Sequence, residues 1–122
     1  MNLDKLKVIE HPLIKQKLSI MRSIRTDNKM FRELLRELSA LMVYEITRDM
    51  ALKKIKIHTP LAATSGYRLS KDISIIPILR AGLVMADGIH NLIPMARVGH
   101  IGLYRDEKTL QPSIELRDIH FR

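Results

Sequence analysis

ISIIPILRAGLVMADGIHNLIPMARVGHIGLYR, residues 73–105, is the stretch whose reading decides the fold. Residues 73–79 form a short apolar run rich in β-branched side chains, the composition of a strand covered on both faces. The run stops at Arg80-Ala81-Gly82, a cation followed by two of the smallest residues. Leu83, Met85, Ala86, Ile89, Leu92 and Ile93 then fall near helical spacing until Pro94. Residues 98–104 read as a second strand, ending at a second cation, Arg105. The order is strand, tight loop, helix, strand, and the connection is long enough for a parallel pair. Both arginines are then expected at the carboxyl ends of neighbouring strands, where open α/β sheets bind ligands.

The ligand such a loop suits is an anion. Small residues at a helix start present backbone N–H groups and the positive end of the helix dipole. Arg80 adds a planar donor fork matched to phosphate oxygens. Unaided, the residue pattern leaves plainer roles open. Arg80 caps a helix or pairs with a carboxylate just as readily, and Arg105 followed by Asp106-Glu107 reads equally as a surface ion-pair loop.

The residues do carry a resemblance. Ile75-Ile76-Pro77-Ile78-Leu79-Arg80-Ala81-Gly82 is similar to the diphosphate-loop motif of the uracil phosphoribosyltransferase family. Gly102-Leu103-Tyr104-Arg105-Asp106-Glu107-Lys108-Thr109-Leu110-Gln111-Pro112 resembles that family's second segment, at matching distance from the first. The resemblance extends to His11-Pro12-Leu13, to Phe31-Arg32-Glu33-Leu34 and to Tyr44-Glu45, and fades after Pro112. It implies the N-terminal part of a type I phosphoribosyltransferase fold: a parallel sheet flanked by helices, an N-terminal helical region and a β-hairpin arm. The implied division is residues 1–52 for the N-terminal helices, 53–72 for the arm, 73–112 for the strand–helix–strand unit, and 113–122 for a divergent tail.

The implied reaction joins a 5-phosphoribosyl group from phosphoribosyl pyrophosphate (PRPP) to uracil, giving UMP and pyrophosphate. Arg80, Ala81, Gly82 and Arg105 are the residues expected at the PRPP diphosphate, with Mg²⁺ carried on the phosphates rather than by protein ligands. A homodimer, a complementary C-terminal half, a GTP effector and a cytoplasmic location belong to the same implication. The family's sugar-phosphate loop and base-reading segment have no counterpart in these residues, so the isolated chain is expected to be inactive. A non-catalytic relative that keeps the oligomerising surfaces is the alternative.

Composition agrees with a globular chain, at 46% hydrophobic and 28% charged residues. With no cysteine, disulfide and thiol chemistry are excluded, and the five histidines lack close metal-ligand spacing. Lysines interrupt every apolar run at the N-terminus, so no signal peptide or membrane span is readable. The net charge of +8 lies mainly in residues 1–56, with thirteen Lys/Arg against seven Asp/Glu. A nucleic-acid-binding module would use that basic surface, but aromatics are only 4% and form no stacking platform, so a solvated basic face is the better reading.

Elsewhere the pattern predicts a short helix over residues 13–21 and a long amphipathic helix over 29–52, with Thr26, Asp27 and Asn28 as cap candidates. Phe31, Leu34, Leu35, Leu38, Leu41, Met42 and Ile46 mark its apolar stripe. Residues 53–60 and 61–69 read as a hairpin with Gly66 near the bend. The resemblance places the family's next core strand beside residues 73–79, so without it that uncharged strand would keep one open edge, blunted in part by Pro77. The isolated chain is therefore expected to self-associate or to need a complementary half. Size-exclusion chromatography with light scattering checks this, and a monodisperse monomer with a high-temperature cooperative melt refutes it.

Overall fold

The computed structural model describes residues 6–105 and 112–117. Its elements are α1 (Pro12–Met21), α2 (Asn28–Ile46), β1 (Leu52–His58), β2 (Ala63–Leu69), β3 (Ser74–Ile75), β4 (Ile78–Leu79), α3 (Leu83–Leu92), β5 (Arg97–Val98), β6 (His100–Arg105) and β7 (Pro112–Arg117). The expected strand over 73–79 is present as two pieces, β3 and β4, and its partner as β5 and β6. Both pairings, β3 with β5 and β4 with β6, are parallel. One ladder nevertheless runs through the breaks: Arg97, Gly99 and Ile101 donate their N–H groups to the carbonyls of Ile73, Ile75 and Pro77 at 2.9, 3.0 and 3.1 Å. Pro77 faces this partner but has no N–H to return, which splits the strand at its middle. The missing donor thus falls on the paired side, so Pro77 does not blunt the open edge. That edge belongs to Ser74, Ile76 and Ile78, and no described element pairs with it.

α3 makes the crossover between the two parallel strands, as its spacing predicts. Its Ala86 is buried with Ile75 and Ala96, and Ile73, Ile89 and Ile93 close around them. α2 packs against the outside of α3 at very short range. A Cβ on Gly88 would lie 2.3 Å from the Arg36 carbonyl oxygen, so only glycine permits the contact. Ser39 is fully buried there, its Oγ donating to the Leu35 carbonyl at 2.6 Å. Leu34, Leu38 and Val43 are buried, whereas Phe31, Met42 and Ile46 stay exposed. The apolar stripe of α2 is thus only partly covered.

Local chemistry sets the helix ends. His11 caps α1, its Nδ1 accepting from the Leu13 N–H at 3.2 Å, with Pro12 at the first helical position. Asp27 caps α2 by accepting from the Met30 N–H at 2.7 Å. α2 ends at Ile46, six residues before the expected limit. Thr47 turns its hydroxyl onto the Val43 carbonyl at 2.9 Å, and the Ser70 N–H bonds to the Ala51 carbonyl at 2.9 Å, drawing Leu52 into the hairpin. Arg48 donates from Nε and Nη2 to Glu45 at 2.9 and 2.7 Å, and this holds the Glu45 carboxyl below its ordinary pKa.

β1 and β2 form the expected antiparallel hairpin, but its bend is Thr59–Ala62, closed by the Thr59 N–H and hydroxyl donating to the Ala62 carbonyl at 3.0 and 2.8 Å. Gly66 lies in mid-strand opposite Ile55, beneath the Ile57 side chain. Gly88→Ala is expected to destabilise the chain by about 2 kcal/mol or more through overpacking of two backbones. Gly66→Ala, which meets only the movable Ile57 side chain, costs much less. Urea midpoints of the two variants decide the comparison.

Candidate functional site

The tight loop sits where β4 ends and α3 begins. Its peptide bond between Leu79 and Arg80 is cis. The Gly82 N–H turns back to the Ile78 carbonyl at 2.9 Å, and the Leu83 N–H reaches the Arg80 carbonyl at 3.2 Å. This fold-back brings Gly82 against the strand: a Cβ there would lie 2.8 Å from the Ile78 nitrogen and 2.9 Å from its oxygen. Its φ of −69° is open to any residue, so close approach is what demands glycine. Because its N–H is already engaged, Gly82 shapes the loop instead of adding a free donor.

Free donors lie on either side of it. The Ala86 N–H is the first of α3 to find a carbonyl four residues back, that of Gly82, at 3.0 Å. The N–H groups of Ala81, Val84 and Met85 have no partner among the described residues. Two of these are the orphan donors every helix start leaves open, and Gly82 brings no side-chain cap to cover them. Val84 and Met85 were legible from the rule for helix starts, although the motif draws attention only to the three loop residues. Arg80 is exposed, and among the described residues its side chain has no ion pair or hydrogen bond. No described carboxylate pairs with it, and three amides without a described partner follow it within five residues.

Arg105 ends β6, the parallel neighbour of β4. Leu79 is in register with Gly102, so the Arg105 backbone lies three residues beyond that level, about 10 Å along the strand. Arg80 is one residue beyond it. Both backbones therefore leave the sheet at its carboxyl end. β6 turns back as β7, with Arg105 opposite Pro112. Asp106 and Glu107 lie outside the described residues. Among the described residues, no cluster of three or more His, Cys, Asp or Glu is placed to hold a metal ion, and no helix is long and apolar enough to cross a membrane.

A strand–loop–helix–strand unit with a donor-rich loop at the carboxyl end of its parallel pair is the architecture of a phosphoribosyltransferase-type α/β domain. Comparison with known proteins makes the class specific. The family model described as uracil phosphoribosyltransferase matches residues 8–120, continuing past Pro112. The uracil phosphoribosyltransferase of Lactiplantibacillus plantarum is 53% identical over 111 residues, which is 90% of this chain and 53% of the relative. That of Clostridium beijerinckii is 58% identical over 109 residues, 87% of this chain and 52% of the relative. The solved structure of the AQ2163 protein from Aquifex aeolicus superposes with a TM-score of 0.79 at 34% identity, covering 89% of this chain and 53% of that one. The chain belongs to the uracil phosphoribosyltransferase family. It spans about half the length of the curated relatives it matches.

Gly82→Ala is expected to push the loop off Ile78 and break the bond from its own N–H. Hydrogen exchange followed by NMR should show that amide exchanging at least about tenfold faster than in the parent chain. An unchanged rate would mean that the loop tolerates a Cβ.

Proposed function

We propose that this chain supplies the diphosphate-binding part of a uracil phosphoribosyltransferase site. The observation that carries the reading is that, among the described residues, neither the Arg80 side chain nor the Ala81, Val84 and Met85 N–H groups at the start of α3 has a partner. In the reaction, the bond from ribose C1 to the diphosphate oxygen breaks while a bond from C1 to uracil N1 forms. Uracil gives up its N1 proton, and the products are UMP and pyrophosphate. Positive charge builds on the ribose as negative charge grows on the departing diphosphate. Arg80, the open amides and Arg105 stabilise that leaving group, and Gly82 keeps the loop tight enough for the amides to converge. Removing one preorganised donor of this kind typically costs about 3 kcal/mol of transition-state stabilisation. Mg²⁺ arrives with PRPP, bound to its phosphates.

The same reading includes uracil and PRPP as substrates, a GTP effector, a cytoplasmic location, and a homodimer held partly by the β1–β2 arm. The arm supports this last point, because no described element packs extensively on either of its faces. A lone two-stranded hairpin is marginal in water and gains from a partner. Leu61 at its bend and Tyr67 on its face are exposed, which suits a contact between subunits. Domain limits at residues 52, 72 and 112 follow from the same assignment.

Titration with pyrophosphate tests the site directly. The parent chain is expected to bind weakly, and Arg80→Ala to lose at least about tenfold in affinity, as for a charge-assisted hydrogen bond. Lys54→Ala, on the exposed arm, should bind as the parent does. Equal affinity of the parent and Arg80→Ala refutes the assignment. Proximity and orientation of two substrates supply much of the rate of such a transfer, and the residues present offer no set for the sugar phosphate or the base. The isolated chain is accordingly expected to form no UMP from uracil and PRPP, and Mg²⁺-dependent UMP above a mock preparation would overturn that.

A further inference from the structure

An open groove of about 1060 Å³ lies between Phe31, Leu35 and Val43 of α2 and residues 73–78, and it runs up to the loop, where Pro77, Ala81 and Gly82 line it. Pro77 is buried at that end. A Cβ on Gly82 would lie 3.1 Å from the Cβ of Pro77, so the folded-back loop rests against the proline side chain.

Pro77 also leaves an acceptor unserved. In a parallel pair, a residue facing its partner strand both donates to it and accepts from it. The Pro77 carbonyl accepts from the Ile101 N–H at 3.1 Å, and by the same register an N–H at position 77 would reach the Gly99 carbonyl. Gly99 is buried, and no described group donates to its carbonyl. That orphan acceptor is a cost which any other residue at position 77 could remove. The proline ring further holds φ near about −65°, whereas a parallel strand runs near about −120°. Yet the interruption corrects no slip in pairing, because Ile75 stands opposite Val98 and Ile78 opposite Ile101, one constant offset on both sides of the proline. Its effect is on the direction in which the chain leaves the sheet.

We propose that Pro77 is a positioning residue of the diphosphate loop. By breaking the ladder three residues before Arg80, it turns β4 so that the Ile78 carbonyl meets the Gly82 N–H at 2.9 Å. A ladder continuous through position 77 would carry Ile78 straight on and draw that carbonyl out of reach. The loop would then swing away from the start of α3, and the Ala81 amide would no longer converge with those of Val84 and Met85. Pro77 touches no substrate, and it acts through Gly82. Its part in binding rests on the diphosphate reading of the loop, whereas its hold on the fold-back does not.

Pro77→Ala keeps the Cβ and restores the N–H, and hydrogen exchange followed by NMR reads the outcome. The new amide at position 77 is expected to be protected at least about tenfold, as a donor to Gly99. The Gly82 amide should exchange at least about tenfold faster than in the parent chain, while those of Arg97 and Gly99, in the ladder, stay at least as protected as before. A merely structural proline would instead lose protection at all of these positions together. Titration with pyrophosphate supplies the second arm, in which Pro77→Ala should lose at least about tenfold in affinity. An unprotected amide at position 77, an unchanged Gly82 rate, or loosening of Arg97 and Gly99 alongside Gly82 overturns the inference. So does parent-like affinity of Pro77→Ala where Arg80→Ala has lost its own. If the parent chain itself binds no pyrophosphate, the diphosphate reading fails, and with it Pro77's part in binding, while the exchange pattern still decides whether Pro77 sets the fold-back.

Discussion

The parallel ladder through Ile73, Ile75 and Pro77 is the interaction on which the rest depends. Its three carbonyls hold residues 97–101 alongside residues 73–77, and this sets the span that α3 must cross. The crossover lays Ala86 and Ile89 onto Ile75, so the helix start falls directly above the end of β4. The loop at Arg80 inherits its geometry from that arrangement. Without the ladder, an arginine, an alanine and a glycine would be three small features of a flexible turn. With it, they become an exit from a sheet onto a helix whose Val84 and Met85 amides have no partner among the described residues.

Two glycines convert this scaffold into close contacts, for the same reason at different sites. Gly82 lets the loop fold onto the Ile78 backbone, and Gly88 lets α2 lie against α3 at the Arg36 carbonyl. Neither has a positive φ, so conformational freedom explains neither. The absence of a Cβ does. Anchored at Gly88, α2 buries Leu34 and Leu38 and leaves Phe31 and Leu35 along the open groove. The helix contact and the open groove are consequences of one placement.

Charge is distributed so that it does not interfere with the loop. The arm carries Lys53, Lys54, Lys56 and Arg68 and no acidic residue between Leu52 and Leu69. The ion pairs of the described residues tie surfaces together, as Lys17 with Glu37 between α1 and α2 at 2.6 Å, and Arg97 with Asp72 at 3.2 Å. Such exposed pairs contribute little to stability. Among the described residues, none of these pairs involves the Arg80 side chain.

By itself, the sequence determined the strand–loop–helix–strand order of residues 73–105 and the position of both arginines at its carboxyl end. These follow from local signals: β-branched runs, helical spacing, small residues and Pro94. It also showed the hairpin, the two N-terminal helices and the family. Tertiary structure decided what local signals cannot carry. The end of α2 at Ile46 depends on Ser70 reaching back to Ala51, a contact between residues distant in sequence. Gly66 looked like a bend, but Pro60 and the Thr59 hydroxyl make the turn elsewhere, and Gly66 accommodates Ile57 instead. Pro77 reads in sequence as protection for an open edge, yet strand alternation turns its missing N–H toward the partner. Which side of a strand a residue faces is fixed by pairing, and pairing is a property of the folded chain.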